Sequence, residues 1–239
     1  MDEARQLQEG ALRKHLQING EKHPATQIAC ENLAITMQRQ QDWANARALF
    51  SALVRTRIET YGETHLETLN PMTRLARVCL EQKDYTAARA LFEHVVNARV
   101  ATVGEAHPET RSAMYNLGST LRDLDESSAE AALFERVYRA DSAALGPEHD
   151  DTLRSLEQWA MSAFEAADYA RSTALWGELA AIRERKSGAS DVSTLNALDT
   201  QANSFQKHGD SASARRIRER LVRSEEHTSE LQSQFRISY

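Results

Sequence analysis

The chain has no long hydrophobic run. No apolar stretch approaches the roughly 20 residues that span a bilayer, so the sequence offers neither a transmembrane helix nor a membrane partner. Aromatics make up only 6% of the 239 residues, and no Val/Ile/Thr-rich alternation marks a strand. Four prolines and nine glycines are too few for a disordered or collagenous chain. The two cysteines, Cys30 and Cys79, cannot make a disulfide framework. Both fall inside helical patterns and read as core thiols. The opening residues, "MDEARQLQEG", are too charged for a signal peptide, and these absences together point to a cytoplasmic protein. The formal charge is −6 and no Lys/Arg block stands out, so nucleic acid is not an expected partner, because phosphate contacts need clustered positive charge. What is abundant is Ala, Leu, Arg, Glu and Gln, all good helix formers.

A short polar loop recurs. "GEKHPAT" at 20 returns as "GETHLET" at 62, "GEAHPET" at 104, "GPEHDDT" at 146 and "GASDVST" at 188, each step being 42 residues. His23, His65, His107 and His149 keep the step and Asp191 takes the fifth place, while Thr26, Thr68, Thr110, Thr152 and Thr194 keep it unbroken. A fixed period of this length is the mark of a repeat architecture.

Each unit reads as helix, turn, helix, loop. In residues 61–102 the first stripe is Leu69, Met72, Leu75, Ala76, Cys79 and Leu80, one face of an α-helix. Tyr85, Ala88, Leu91, Phe92, Val95, Val96 and Val100 mark a second, matched in the preceding unit by Trp43, Ala46, Leu49, Phe50, Leu53, Val54 and Ile58. The repeated Gly follows a helix, where a left-handed residue closes the C-terminus without a Cβ penalty. Pro24 and Pro108 suit the first position of the next helix. The His before it could cap that helix or bond across to a neighbouring unit. A shared metal is excluded by spacing: ligands lie roughly 2 Å from an ion, whereas successive His residues are a whole helix pair apart. No metal or cofactor is expected.

The 42-residue unit with "HPxT", then Asn32-Leu33-Ala34 or Asn116-Leu117-Gly118, then Ala46 with Leu49-Phe50, Ala88 with Leu91-Phe92, Leu133-Phe134 and Leu175-Trp176, resembles the tetratricopeptide repeat. It is most similar to the long variant of kinesin light chains. The small residue recurring as Ala34, Ala76, Gly118, Ala160 and Ala202 is the family's close-approach position. The resemblance implies an all-α fold, an α-solenoid of antiparallel helix pairs winding as a right-handed superhelix. It assigns five repeats over 19–222 (19–60, 61–102, 103–144, 145–186 and 187–222), and residues 1–18 align with the second helix of a leading repeat. Two departures stand out. Ser127 replaces the aromatic that opens the second helix of the third unit. In the fifth, Gln201 stands where Leu33 and Leu75 do, and Arg218 stands where Phe50 does, as in a polar cap or a frayed end.

In this family the first helices line a concave groove that holds a partner peptide. The face away from the core stripe carries Glu31, Asn32, Ile35 and Gln38, then Arg74 and Arg77, then Tyr115, Asn116, Ser119 and Arg122. It continues with Glu157, Gln158 and Met161, and with Asp199, Thr200 and Asn203. Asn and Arg in such a row suit contacts to the backbone or acidic groups of a protein segment. No phosphate-binding loop, dinucleotide fingerprint or zincin motif occurs, and no Ser or Cys nucleophile sits beside a base. The chain therefore reads as a non-catalytic interaction scaffold, a fragment of a larger protein. The rival reading is a regulatory sensor array acting in cis on a kinase or nucleotide-binding switch ATPase domain. A third is self-assembly through the stack's ends.

Residues 223–239, "RSEEHTSELQSQFRISY", resemble the conceptual translation of a short-read sequencing adapter, and are set apart from the fold on that ground.

Overall fold

A computed structural model describes residues 2–223; the adapter-like stretch beyond Arg223 lies outside the described residues. Among the described residues every element is an α-helix. The chain divides into two compact units, Met1–Leu124 and Asp125–Tyr239.

The first unit holds α1 (Asp2–Asn19), α2 (Pro24–Arg39), α3 (Trp43–Tyr61), α4 (Leu66–Glu81), α5 (Tyr85–Val103) and α6 (Pro108–Asp123). Each helix packs on the next, and α4 also touches α6. The second unit holds α7 (Ser127–Leu145), α8 (Asp150–Glu165), α9 (Tyr169–Ser187) and α10 (Val192–His208), again packed in sequence. Residues 211–223 are helical as well. A 16-residue helix followed by a 19-residue helix fills each of the first four 42-residue steps, and the fifth opens with a 17-residue helix.

The stripes go inward as their spacing requires. Phe50, Phe92 and Phe134 are fully buried and Trp176 nearly so, each at the same register of a second helix. Ala34, Ala76, Ala160 and Ala202 have no exposed surface, which lets paired helices approach closely. Each buried large apolar side chain contributes on the order of 1.5–3 kcal/mol, so the core is built from equal increments per repeat. Cys79 is buried in it, while Cys30 is half-buried.

The recurrent loop is a capping device. His23, His65, His107 and His149 are the N-caps of α2, α4, α6 and α8. Each Nδ1 accepts the backbone N–H two residues on, at 3.2–3.3 Å. Asp191 does the same for α10, accepting the Ser193 N–H at 2.9 Å. The histidines therefore cap locally and do not bridge units. The Thr closes the loop: Thr68 Oγ1 donates to the Gly62 carbonyl and Thr152 Oγ1 to that of Gly146, both at 2.8 Å. Gly62 has φ 93° and ψ 164°. That is an extended, positive-φ geometry essentially reserved for Gly, not the left-handed helical one that the sequence suggested.

A second capping series was not read from the sequence. Asp42, Asp84, Asp168 and Asp210 repeat at the same 42-residue step, with Glu126 among them. Each Asp accepts a backbone N–H three residues on, at 3.0–3.4 Å. Their carboxyls are held below the ordinary carboxylate range where the cap is doubled: Asn45 also donates to Asp42, Arg47 to Asp84 and Ser213 to Asp210. Glu126 makes no side-chain cap bond, so the third unit lacks both its opening aromatic and its cap.

The departures in the fifth unit have local causes. Gln201 Nε2 donates to the Thr173 carbonyl at 3.2 Å, and Gly177 makes room for it, since a Cβ there would lie 2.4 Å from that nitrogen. Arg218 is exposed and donates to Asn203 Oδ1 at 3.1 Å.

Candidate functional site

The candidate face is positioned by α2, α4 and α6 in the first unit and by α8 and α10 in the second. In the first unit Asn32, Arg77, Ser119 and Arg122 are exposed, and Ile35, Arg74, Tyr115 and Asn116 are half-buried. In the second, Met161 and Asn203 are exposed and Gln158 is half-buried. All are thus on the side of their helices turned from the core stripe, as an interaction face requires.

Two of them, Arg74 and Arg77, share a recess. A groove of about 390 Å³ is lined by Glu31, Asn70, Thr73, Arg74, Arg77, Arg99, Glu109, Ser112 and Ala113. Arg74 and Arg77 stand on α4 at its wall. Neither makes a hydrogen bond or ion pair among the described residues. The other charges there are engaged. Arg99, 4% exposed, pairs with Glu109 and donates to Asn70 Oδ1 at 2.8 Å. Glu109 is held below the ordinary carboxylate range by the Arg99 bond. Glu31 accepts from Arg57 Nη2 at 2.7 Å. With both carboxylates neutralised, the groove presents two uncompensated guanidiniums, which suit a carboxylate in bidentate geometry.

The floor of this face is a ladder that sequence reasoning missed. Arg57, Arg99 and Arg183 recur on the 42-residue step, and Asp141 interrupts them. Arg57 reaches Gln27 Oε1 at 3.3 Å, Glu31 at 2.7 Å and the Glu67 carbonyl at 2.7 Å, tying α2, α3 and α4 together. That carbonyl lacks its usual helical partner, because residue 71 of α4 is proline. In the second unit Arg183 joins Glu157 at 2.8 Å and the Ser193 carbonyl at 3.2 Å. The signal was present as a period of Arg within apolar stripes, where buried charge is not expected.

The second unit has a recess of about 270 Å³ beside Asp150, Arg154, Glu157, Arg183 and Lys186. Its charges are paired: Lys186 with Asp150 at 2.8 Å, Arg154 with Asp151 at 2.9 Å, and Arg183 with Glu157. Gln158, Met161 and Asn203 do not line it. Asn203 is occupied by Arg218 and by Asp199, the latter at 3.5 Å. Among the described residues no cluster of His, Cys, Asp or Glu has the arrangement of a metal site, and no helix is long and apolar enough to cross a membrane.

Comparison with known proteins places the architecture. A family model described as tetratricopeptide repeat matches residues 26–101 and 74–143. None of the curated proteins matches the sequence. Among solved structures, the kinesin light chain TPR-like repeats of Podosopora anserina superpose with a TM-score of 0.69 at 21% identity, covering 86% of this chain and 98% of that one. BtubC (BKLC) from P. vanneervenii gives 0.63 at 13% identity over 95% and 92% of the two chains. MamA gives 0.60 at 11% identity over 88% and 96%. At these identities the likeness is one of fold: helix pairs of the α-solenoid class. With the family match over the first repeats, the chain is a tetratricopeptide-repeat protein whose repeats fold like those of kinesin light chains.

Proposed function

We propose that this protein is a non-catalytic protein–protein interaction scaffold and that its first unit holds an acidic segment of a partner in the α2/α4/α6 groove. One observation carries the reading: Arg74 and Arg77 stand unpaired on a recess of about 390 Å³ whose carboxylates are already neutralised. An unpaired guanidinium on a concave face is a bidentate donor for a carboxylate, and an extended peptide with Asp or Glu supplies it. Asn32, Ile35, Tyr115, Asn116, Ser119 and Arg122 extend the same contact surface along α2 and α6; Gln158, Met161 and Asn203 are the corresponding surface of the second unit. The five 42-residue repeats, a cytoplasmic location and membership of a longer protein belong to the same proposal.

The test is fluorescence anisotropy of the whole chain with labelled peptides of matched length, acidic, neutral and basic. The acidic set is expected to bind, with affinity falling as salt rises. Arg74→Glu with Arg77→Glu is expected to weaken binding at least tenfold while leaving the helical circular-dichroism signal intact. Equal binding of all three peptide classes, or no change on charge reversal, would refute the groove reading.

A further inference from the structure

The first unit contains a second pocket, distinct from the polar groove, and its origin can be read from the repeat register. Its volume is about 140 Å³, and Leu12, Leu16, Cys30, Leu49, Ala52 and Leu53 form its apolar wall. An engineered protein cavity of about 150 Å³ with similar walls stays dry and takes benzene or xenon. Two positions make the space here. Cys30 occupies the register of Met72, Met114, Leu156 and Leu198. All four of those are buried, at 5%, 0%, 0% and 4% exposure, and each side chain is two non-hydrogen atoms larger than cysteine. Ala52 occupies the register of His94, whose Nε2 lies 3.4 Å from the Glu63 carbonyl across the matching mouth. Alanine cannot make that bridge. The first repeat is therefore hollowed at Cys30 and left open at Ala52.

The wall is mainly apolar, and its polar members are engaged or open to solvent: Gln27 donates to the Lys22 carbonyl and accepts from Arg57 Nε, and Glu21 is exposed. Burial pushes the Cys30 thiol up to about 11, so at neutral pH it is a neutral thiol; its Sγ lies 3.7 Å from the Leu49 carbonyl. Thr26 Oγ1 is engaged by the His15 carbonyl at 3.3 Å, and Thr56 Oγ1 by that of Ala52 at 3.1 Å. A charged or strongly hydrogen-bonding ligand would lose its hydration without compensation. An uncharged ring or branched hydrocarbon of about six carbons fills the volume and loses nothing by entering.

We infer that the α1/α2/α3 pocket is a binding site for a small uncharged hydrocarbon group of about the size of benzene. The site is independent of the peptide groove, since it shares no lining residue with it.

The experiment uses the full chain with ¹³C-labelled leucine methyls, titrated with benzene and separately pressurised with xenon. Leu12, Leu16, Leu49 and Leu53 resonances are expected to shift saturably with both probes, while leucines of the second unit stay still. Cys30→Met combined with Ala52→His copies the second repeat, and should reduce the shifts at least tenfold with a melting temperature at or above that of the parent. Cys30→Met alone serves if the double variant does not fold. Shifts that grow linearly without saturating, or that survive the filling substitutions, would overturn the assignment.

Discussion

Arg57 is the place to test whether the ladder holds the first unit together. It is 5% exposed and donates to a carboxylate, an amide oxygen and a main-chain carbonyl on two neighbouring helices. Arg57→Met keeps most of the side-chain volume and removes all three bonds. Glu31, 21% exposed at its side chain, is left as a half-buried charge without its partner. Breaking a buried pair from one side costs about 3–5 kcal/mol, against a total of roughly 5–15 kcal/mol for a domain. The cost has a component that can be isolated. The Glu67 carbonyl has no helical donor because Pro71 has no N–H. Pro71→Ala restores that donor. In the parent the carbonyl is already satisfied by Arg57; in Arg57→Met it is orphaned, at about 1–3 kcal/mol. The helix-propensity gain of Pro71→Ala appears in both backgrounds and cancels in a double-mutant cycle. The expected coupling is therefore about 1 kcal/mol or more, with Pro71→Ala helping more in the Arg57→Met background. Urea denaturation followed by circular dichroism on the four proteins reads it. A loss below about 1 kcal/mol for Arg57→Met, or a coupling indistinguishable from zero, refutes the reasoning.

The caps and turns give three further expectations. His149→Ala removes the side-chain acceptor for the Asp151 N–H and should destabilise the second unit by about 0.5–2 kcal/mol, whereas His149→Asp, which copies Asp191, should hold the parent's melting temperature. Ala167 sits at φ 60°, at the register where the fifth unit has Gly209; Ala167→Gly should raise stability by about 1 kcal/mol in a denaturant titration, because a left-handed non-glycine residue carries strain of that order. Asp42, Asp84, Asp191 and Asp210 have folded pKa values below the ordinary carboxylate range, through bonds from Asn45, Arg47, Ser193 and Ser213 respectively. Their contribution is thus complete above the unfolded carboxylate value of about 3.9 and is lost as pH falls through the lower folded values. The melting temperature should drop below about pH 4, and Asp84→Asn, which still caps, should flatten that drop with little change at pH 7.

How much of this could be read beforehand follows from which interactions leave a periodic trace. Apolar stripes did, because burial demands the same residue class at each turn: Phe50 and Phe92 were placed correctly from spacing alone. The loop was legible as a repeat, but its chemistry was not, since a His at a loop–helix junction can cap or bridge with equal sequence evidence. Distance settled it. The Asp42 and Arg57 series keep the same step with one break each, at Glu126 and Asp141, and were overlooked for opposite reasons. A capping Asp looks like ordinary loop polarity. An Arg inside an apolar stripe looks like a break in the pattern, although three helices converge on it. The groove was half legible. Spacing assigns a residue to a helix face, which is why Asn32, Ser119 and Met161 are exposed or nearly so. It cannot say where that face is concave, because concavity depends on neighbours one whole unit away. Arg74 and Arg77 fall in the recess because α5 and α6 raise its walls with Arg99 and Glu109. Gln158 and Asn203 stand at equivalent spacing but do not line the recess beside Arg183, whose charges pair among themselves. The property that marks the candidate site, a charge left without a partner, belongs to no single residue. It appears only after every other charge nearby has been assigned to its own.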